Sequence, residues 1–364
     1  MIKYEDLNKL NKKFFSVFLS YLKNNNNFNY ILGKNLKNFE NEFAKFIGAK
    51  YCVGVGNGFD AIKISLDSLE LNKGDEVIVP ANTYLGTILP IIKSGLKPVL
   101  VEPNLQTYNI DEEKIEGSIT KRTKVILIVH LYGRPCRMDK IYYLCKKYKL
   151  FLIEDCAQSH GAKHKNKTTG TFGDFGCFSF YPTKNLGAIG DAGSVLTSNR
   201  DFYERLLRLR NYGGTKRFYS DILGYNSRLD DLQAIFLNIK LRYLRKINKH
   251  KQKLAAHYDK HLNNKFIILP LKEIENENVY YVYNIRTKKR DELKNYLKKK
   301  NIQTDIHYPI PPHKQKSLKN FFEKKYPITE EIHKTTLSLP ISFIHTLKDV
   351  EYVSNEVNNF FKKK

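Results

Sequence analysis

Cysteine is scarce and scattered. The five residues, Cys52, Cys136, Cys145, Cys156 and Cys177, form no C-x-x-C pair and are odd in number, which argues against a zinc site or a disulfide framework. Several lie in apolar stretches, where a reduced cysteine behaves as a small hydrophobe. No apolar run is long enough to span a bilayer. The opening Met1-Ile2-Lys3-Tyr4-Glu5-Asp6 lacks the apolar stretch of a signal peptide. The chain therefore reads as soluble and cytoplasmic. Acidic residues are few beside basic ones, 37 against 62, for a net charge of +25. A surplus of that size points to nucleic acid, a membrane surface or an anionic substrate. Yet lysine and asparagine are spread along the whole chain, with no basic arm and no aromatic RNA-binding signature. Nucleic acid and membrane are thereby set aside as partners, while the positive field suits an anionic substrate. There is no internal repeat, and 364 residues suggest two domains.

What is present is an alternation of strand and helix patterns. The first 50 residues read as helical, with Leu36, Phe39 and Phe43 on one helix face. Apolar strand-like runs follow at 51–55, 76–80, 98–102, 124–130, 150–154, 176–181 and 193–197, with helical patterns between several of them, as at 59–69 and 139–148. This predicts a mainly parallel sheet covered on both faces, with any ligand at the carboxyl ends of its strands. A charged helical pattern over 228–262 predicts one long connecting helix. The remainder carries two strand-like runs, 266–269 and 279–286, and at least two helices. The division expected is 1–245 for the large domain and 246–364 for the smaller one.

Two strand ends carry unusual chemistry. One run ends in Ser179-Phe180-Tyr181-Pro182-Thr183-Lys184, placing a lysine in a turn closed by Gly187. Another ends in Glu154-Asp155-Cys156-Ala157-Gln158. A lysine amine can hold a carbonyl cofactor as a Schiff base, provided it can lose its proton. A carboxylate can keep a pyridine nitrogen protonated, the condition under which pyridoxal 5′-phosphate draws electrons. Lys184 and Asp155 suit those roles, and Gln158 suits the ring oxygen. The plainer alternatives are a loop lysine and a helix N-cap. Gly54-Val55-Gly56-Asn57-Gly58 follows a strand and opens a helix, a place where free N–H groups receive phosphate. It is not a dinucleotide fingerprint, because Phe59 stands where a third glycine is required. Tyr84 lies just past a strand, where it either stacks on a pyridine ring or serves as an ordinary core tyrosine. Asn226 either caps the following helix or acts elsewhere. His307 and His313 flank a proline-rich turn with no acid or cysteine at metal-ligand spacing, so no metal is expected.

Taken together, segments 33–48, 53–64, 77–87, 153–162, 170–193, 224–234 and 307–313 resemble the DegT/DnrJ/StrS family of sugar aminotransferases. The runs GNGFDAI and NSRLDDLQA are most similar to its members that aminate nucleotide-linked 3-keto-6-deoxyhexoses. The resemblance implies a fold-type-I, aspartate-aminotransferase-like three-layer α/β/α domain with a smaller α+β domain, and pyridoxal phosphate as cofactor. It implies catalysis by Lys184 and Asp155. The phosphate would be held at Gly58, by the backbone of Phe59 and Asp60, and by Ser179. Family members often have threonine where this chain has Phe59, which removes a side-chain donor. Asn226 would reach the partner's cofactor in a homodimer, and His307 and Tyr308 would contact a nucleotide sugar, with glutamate as amino donor. A flexible loop is implied at 213–219. Relatives that act as dehydratases carry histidine at the lysine position, so Lys184 argues against that branch. Amination at C-4 is the nearer alternative. A catalytically silent regulatory or nucleic-acid-binding protein on the same scaffold is the more distant one.

Overall fold

The computed structural model describes residues 1–25, 29–216 and 218–362. Within the expected 213–219 loop, Arg217 lies outside the described residues. Among the described residues the principal sheet has seven strands: β1 (Tyr51–Val55), β2 (Glu76–Pro80), β3 (Lys97–Val101), β4 (Thr123–Val129), β5 (Phe151–Asp155), β6 (Phe175–Ser179) and β7 (Gly193–Thr197). Their order is β1-β7-β6-β5-β4-β2-β3, and β7 alone runs against its neighbours. The continuous apolar runs follow from this arrangement, because a strand covered on both faces must be apolar on both. In β4, Val125, Leu127 and Val129 enter the core that also takes Ile64 and Ile88, while Ile126 and Ile128 enter the core shared with Ile141 and Leu144. Helices Gly58–Asp67 and Leu85–Lys93 thus cover one face and Met138–Tyr148 the other. The expected three layers are present.

Helix Lys34–Ile47 buries Leu36, Phe39, Phe43 and Ile47 on one stripe. It ends at Gly48, whose φ of 94° lets its N–H bond back to Ala44. The single long helix expected over 228–262 is two helices, Asp231–Leu241 and Leu244–His261. No glycine or proline marks the break at Arg242-Tyr243. On either side of it Leu237, Leu241 and Leu244 share the core around Phe39 and Phe178, and only further along do Leu254, Ala255 and Tyr258 join a separate core with Tyr283, Leu297 and Val357. The strand expected over 279–286 is confined to Tyr283–Arg286, and 266–269 contributes only an isolated bridge, Ile268 to Arg286. The partner of Tyr283–Arg286 is Thr336–Leu339, antiparallel. At the other end of the chain, Ile2 pairs with Ile302 and packs on this same core. Among the described residues no helix is long and apolar enough to cross a membrane.

Candidate active site

A cavity of about 620 Å³ opens at the carboxyl ends of the parallel strands. Gly58, Phe59, Tyr84, Asp155, Gln158, Ser179, Lys184, His307 and Tyr308 all line it. Asp60 and Asn226 do not. Residues separated by up to 250 positions are thus brought to one space, chiefly because β5 and β6 are neighbours and both end there.

Asp155, the last residue of β5, is buried. Its Oδ1 accepts the Ala157 N–H (3.0 Å) and its Oδ2 accepts the Thr87 hydroxyl (2.8 Å). It caps no helix. Burial raises its pKa above the ordinary carboxylate value, opposed by those two hydrogen bonds and by the charge of Lys184. Both donors are neutral, so a buried carboxylate facing the cavity is suited to a cationic ligand atom such as a pyridinium. Thr87 escaped the sequence reading; it sits in the first turn of the helix after β2, where only the fold brings it to Asp155.

At the opposite side of the cavity the helix Gly58–Asp67 begins. Asn57 caps it, its Oδ1 accepting the Asp60 N–H (2.8 Å). The Asp60 carboxylate is occupied by Ser227 Oγ (2.6 Å) and Asn57 Nδ2 (3.2 Å). Asp60 therefore builds the helix start, and the amides of Gly58 and Phe59 remain as its outward donors. A Cβ on Gly58 would lie 2.6 Å from Ser179 Cβ. Only glycine lets the helix end and the Ser179 strand end close together into a cradle of the kind a phosphate requires.

The Lys184 amine lies 4.4 Å from the centre of the Tyr281 ring. Tyr281 itself is held from both sides. Its hydroxyl meets Thr183 Oγ1 (3.2 Å) and its carbonyl accepts from the buried Lys251 Nζ (3.1 Å). Lys251 also donates to Asn185 Oδ1 (2.8 Å), and burial pulls its pKa down to about 8. Tyr84 is 57% exposed, and its ring faces that of Tyr308 with centroids 5.2 Å apart. It is therefore not a core tyrosine.

His307 and Tyr308 form the far wall. His307 Nδ1 is 2.9 Å from Ser338 Oγ, and burial lowers its pKa to about 4, with the Asp305 charge opposing and the Lys184 charge adding. It is neutral at physiological pH. Tyr308 accepts from Gln158 Nε2 (2.9 Å), while Gln158 Oε1 accepts the Tyr132 N–H (2.6 Å). Gln158 therefore presents an amide donor beside the cavity. Tyr4, Glu5, Tyr281 and Asp305 also line the space. The sequence carries no local signal for them: Tyr4 and Glu5 follow Ile2, which pairs with Ile302, Asp305 pairs with Ser338, and Tyr281 is held by Thr183 and Lys251.

Asn226 is exposed, and the helix it was expected to cap starts at Asp231. A capping role is excluded. Buried His130, Glu154 and Cys156 lie close enough to share a metal, but hydrogen bonds account for the first two. His130 Nδ1 accepts the Cys136 N–H (3.0 Å), so Nε2 carries the proton that meets Glu154 (2.9 Å). Glu154 further accepts the N–H groups of Gly170, Phe172 and Gly173.

A buried acid whose hydrogen-bond donors are neutral, a bare helix end against a serine, and a lysine opening on the same cavity fit pyridoxal phosphate. Known proteins agree with that chemistry. The chain is 46% identical over 331 residues, 91% of each sequence, to the dTDP-3-amino-3,6-dideoxy-alpha-D-galactopyranose transaminase of Aneurinibacillus thermoaerophilus. It is 37% identical over 92% of its length, and 91% of the relative's, to the pleiotropic regulatory protein of Geobacillus stearothermophilus. Among solved structures, S. venezuelae DesV superposes with a TM-score of 0.94 at 35% identity, covering 99% of this chain and 98% of that one. The model of the DegT/DnrJ/EryC1/StrS aminotransferases matches residues 11–358, and with its strand-end lysine and acid joined in one cavity, the chain belongs to that family.

Proposed function

We propose that this chain transfers the amino group of glutamate to the keto carbon of a dTDP-linked 3-keto-6-deoxyhexose, giving a 3-amino-3,6-dideoxyhexose, with pyridoxal 5′-phosphate as cofactor. The observation that carries the reading is the convergence of Lys184 and Asp155 on one cavity, in a chain so similar to a dTDP-3-amino-3,6-dideoxyhexose transaminase. When bound, pyridoxal phosphate supplies a conjugated ring that accepts the electron pair left on a substrate carbon as its proton departs. Lys184 Nζ holds the cofactor between turnovers and, once free, takes that proton and returns it. Asp155 keeps the ring nitrogen charged. The Gly58 and Phe59 amides and the Ser179 hydroxyl bind the phosphate, Gln158 donates to the ring oxygen, and Tyr84 covers the ring. His307 and Tyr308 contact the sugar nucleotide. The net charge of +25 favours capture of its diphosphate. Residues 1–245 hold the cofactor and 246–364 close the substrate side.

The test is incubation with glutamate and dTDP-linked 3-keto and 4-keto 6-deoxyhexoses, with the product assigned by NMR. An amine at C-3 supports the reading; amination at C-4 alone, or none, sinks it. The Geobacillus relative's name supports the regulatory alternative, and the joined Lys184 and Asp155 oppose it.

The same reading includes a homodimer. Asn226 is exposed and outside its own chain's cavity, in a segment where Tyr212, Tyr219 and Leu223 are 55%, 70% and 96% exposed. It can serve a cofactor phosphate only from a partner subunit. Light scattering should give twice the chain mass, and an active monomer removes Asn226 from the site.

A further inference from the structure

The turn His130-Leu131-Tyr132-Gly133-Arg134 is the point where three distant segments meet. Tyr132 holds a φ of 62°, and Gly133 one of 89°. A left-handed tyrosine is strained, and such strain persists only where its surroundings over-determine it. They do so here. Asn109 Oδ1 accepts the Leu131 N–H (3.0 Å), and Asn109 Nδ2 donates to the carbonyls of Arg134 and Pro135 (3.1 Å each). Gly133 O accepts the Val279 N–H (2.9 Å), and a Cβ on Gly133 would meet Tyr281 N at 2.8 Å. His130 is fastened to Cys136 and Glu154 as described above.

What the strain achieves is two hydrogen bonds in different directions from one residue. The Tyr132 N–H reaches Gln158 Oε1 (2.6 Å), and its phenol donates to the His307 carbonyl. Since Gln158 Nε2 donates to the Tyr308 phenol (2.9 Å), the contacts close a ring: Gln158, Tyr132, His307, Tyr308 and back to Gln158. The ring of Tyr132 is buried against Tyr108, with centroids 5.8 Å apart.

We infer that Tyr132 is a positioning residue for the sugar-nucleotide subsite. It holds the His307-Tyr308 wall in register with Gln158, so that the cofactor side and the substrate side are assembled as one unit. It touches neither ligand in this role. The inference rests on the proposal that His307 and Tyr308 contact the substrate.

Tyr132→Phe keeps the ring and the backbone and removes only the phenol's bond to His307. The KM for the keto-sugar nucleotide, and the Kd of the cofactor-free protein for the aminated nucleotide-sugar product measured by calorimetry, should both rise about five- to tenfold, the effect of one hydrogen bond. The kcat, the KM for glutamate and the cofactor's absorbance and affinity should stay within about twofold. In a Tyr308→Phe background, which opens the ring at its other end, adding Tyr132→Phe should cost less than it does alone. An unchanged KM and Kd, or additive losses in the double variant, would overturn the inference. So would a loss spread equally over kcat and cofactor affinity. Failure of the wild-type protein to bind or aminate any nucleotide sugar would instead strike the reading of function on which it rests.

Discussion

Replacing Lys184 with alanine should lower turnover by about 10⁴-fold or more, because the variant loses both the amine that holds the cofactor and the base that moves the proton. The loss should come without unfolding. Lys184 is half-buried, and its amine faces the Tyr281 ring at 4.4 Å, a contact worth about 0.5–1 kcal/mol at a partly exposed site. Its backbone N–H bonds to the Tyr181 carbonyl (2.8 Å), a contact that alanine keeps. The melting temperature of the cofactor-free variant should therefore stay close to that of the wild type. A chemical readout separates the catalytic role from a structural one. Borohydride reduction of wild-type holoenzyme should leave the cofactor fixed on the peptide containing Lys184, and the variant should carry none. Turnover near the wild-type rate, or a fixed cofactor on another lysine such as Lys251, would remove Lys184 from the centre of the mechanism.

Asp155→Asn should lower kcat by roughly 10²- to 10³-fold, the usual cost of removing a preorganised charge from a dry site. An amide keeps the shape and can still accept the Ala157 N–H, but it cannot hold a charged ring nitrogen. The same substitution should leave the cofactor-free protein as stable as the wild type or more stable at neutral pH. The sign follows from the direction of the shift. Burial raises the folded-state pKa of Asp155, so the protonated form is favoured in the folded protein. That stability is fully present below the carboxyl's unfolded value and is lost as pH rises through the raised folded value. The buried ionised form of Asp155 is a cost that asparagine removes. Melting curves across the acid range should therefore show the variant's advantage shrinking as the pH falls. A variant that is fully active, or one whose cofactor-free form is markedly less stable at neutral pH, contradicts the role assigned to this acid. A residue that lowers stability while serving catalysis belongs to the trade-off expected at active sites.

The strand ends were legible because their chemistry is local. A continuous apolar run followed within a few residues by an acid or a lysine marks both the element and its functional end, and β1, β2 and β7 have the expected bounds. The break at Arg242-Tyr243 was not legible, because helix propensity continues across it and no glycine or proline marks it. Thr336–Leu339 was missed for a similar reason. Four residues, Thr-Leu-Ser-Leu, carry too weak a pattern until Tyr283–Arg286 is placed beside them. The Asp60 amide was expected at a phosphate and instead completes the Asn57 cap, a choice between two nearby acceptors that no residue pattern expresses.

The order of residue types along the chain was enough to determine a mainly parallel sheet covered on both faces, a lysine and an acid each at a strand end, and a glycine before a helix, since each follows from a local residue pattern. The shape of the substrate wall was decided by the tertiary structure alone. Tyr4 and Glu5 from the first residues, Tyr132 from a strained turn, Tyr281 and the His307-Tyr308 segment meet there. Each is held by hydrogen bonds to residues more than a hundred positions away or by the cores beneath them, and such contacts leave no periodic trace in the sequence.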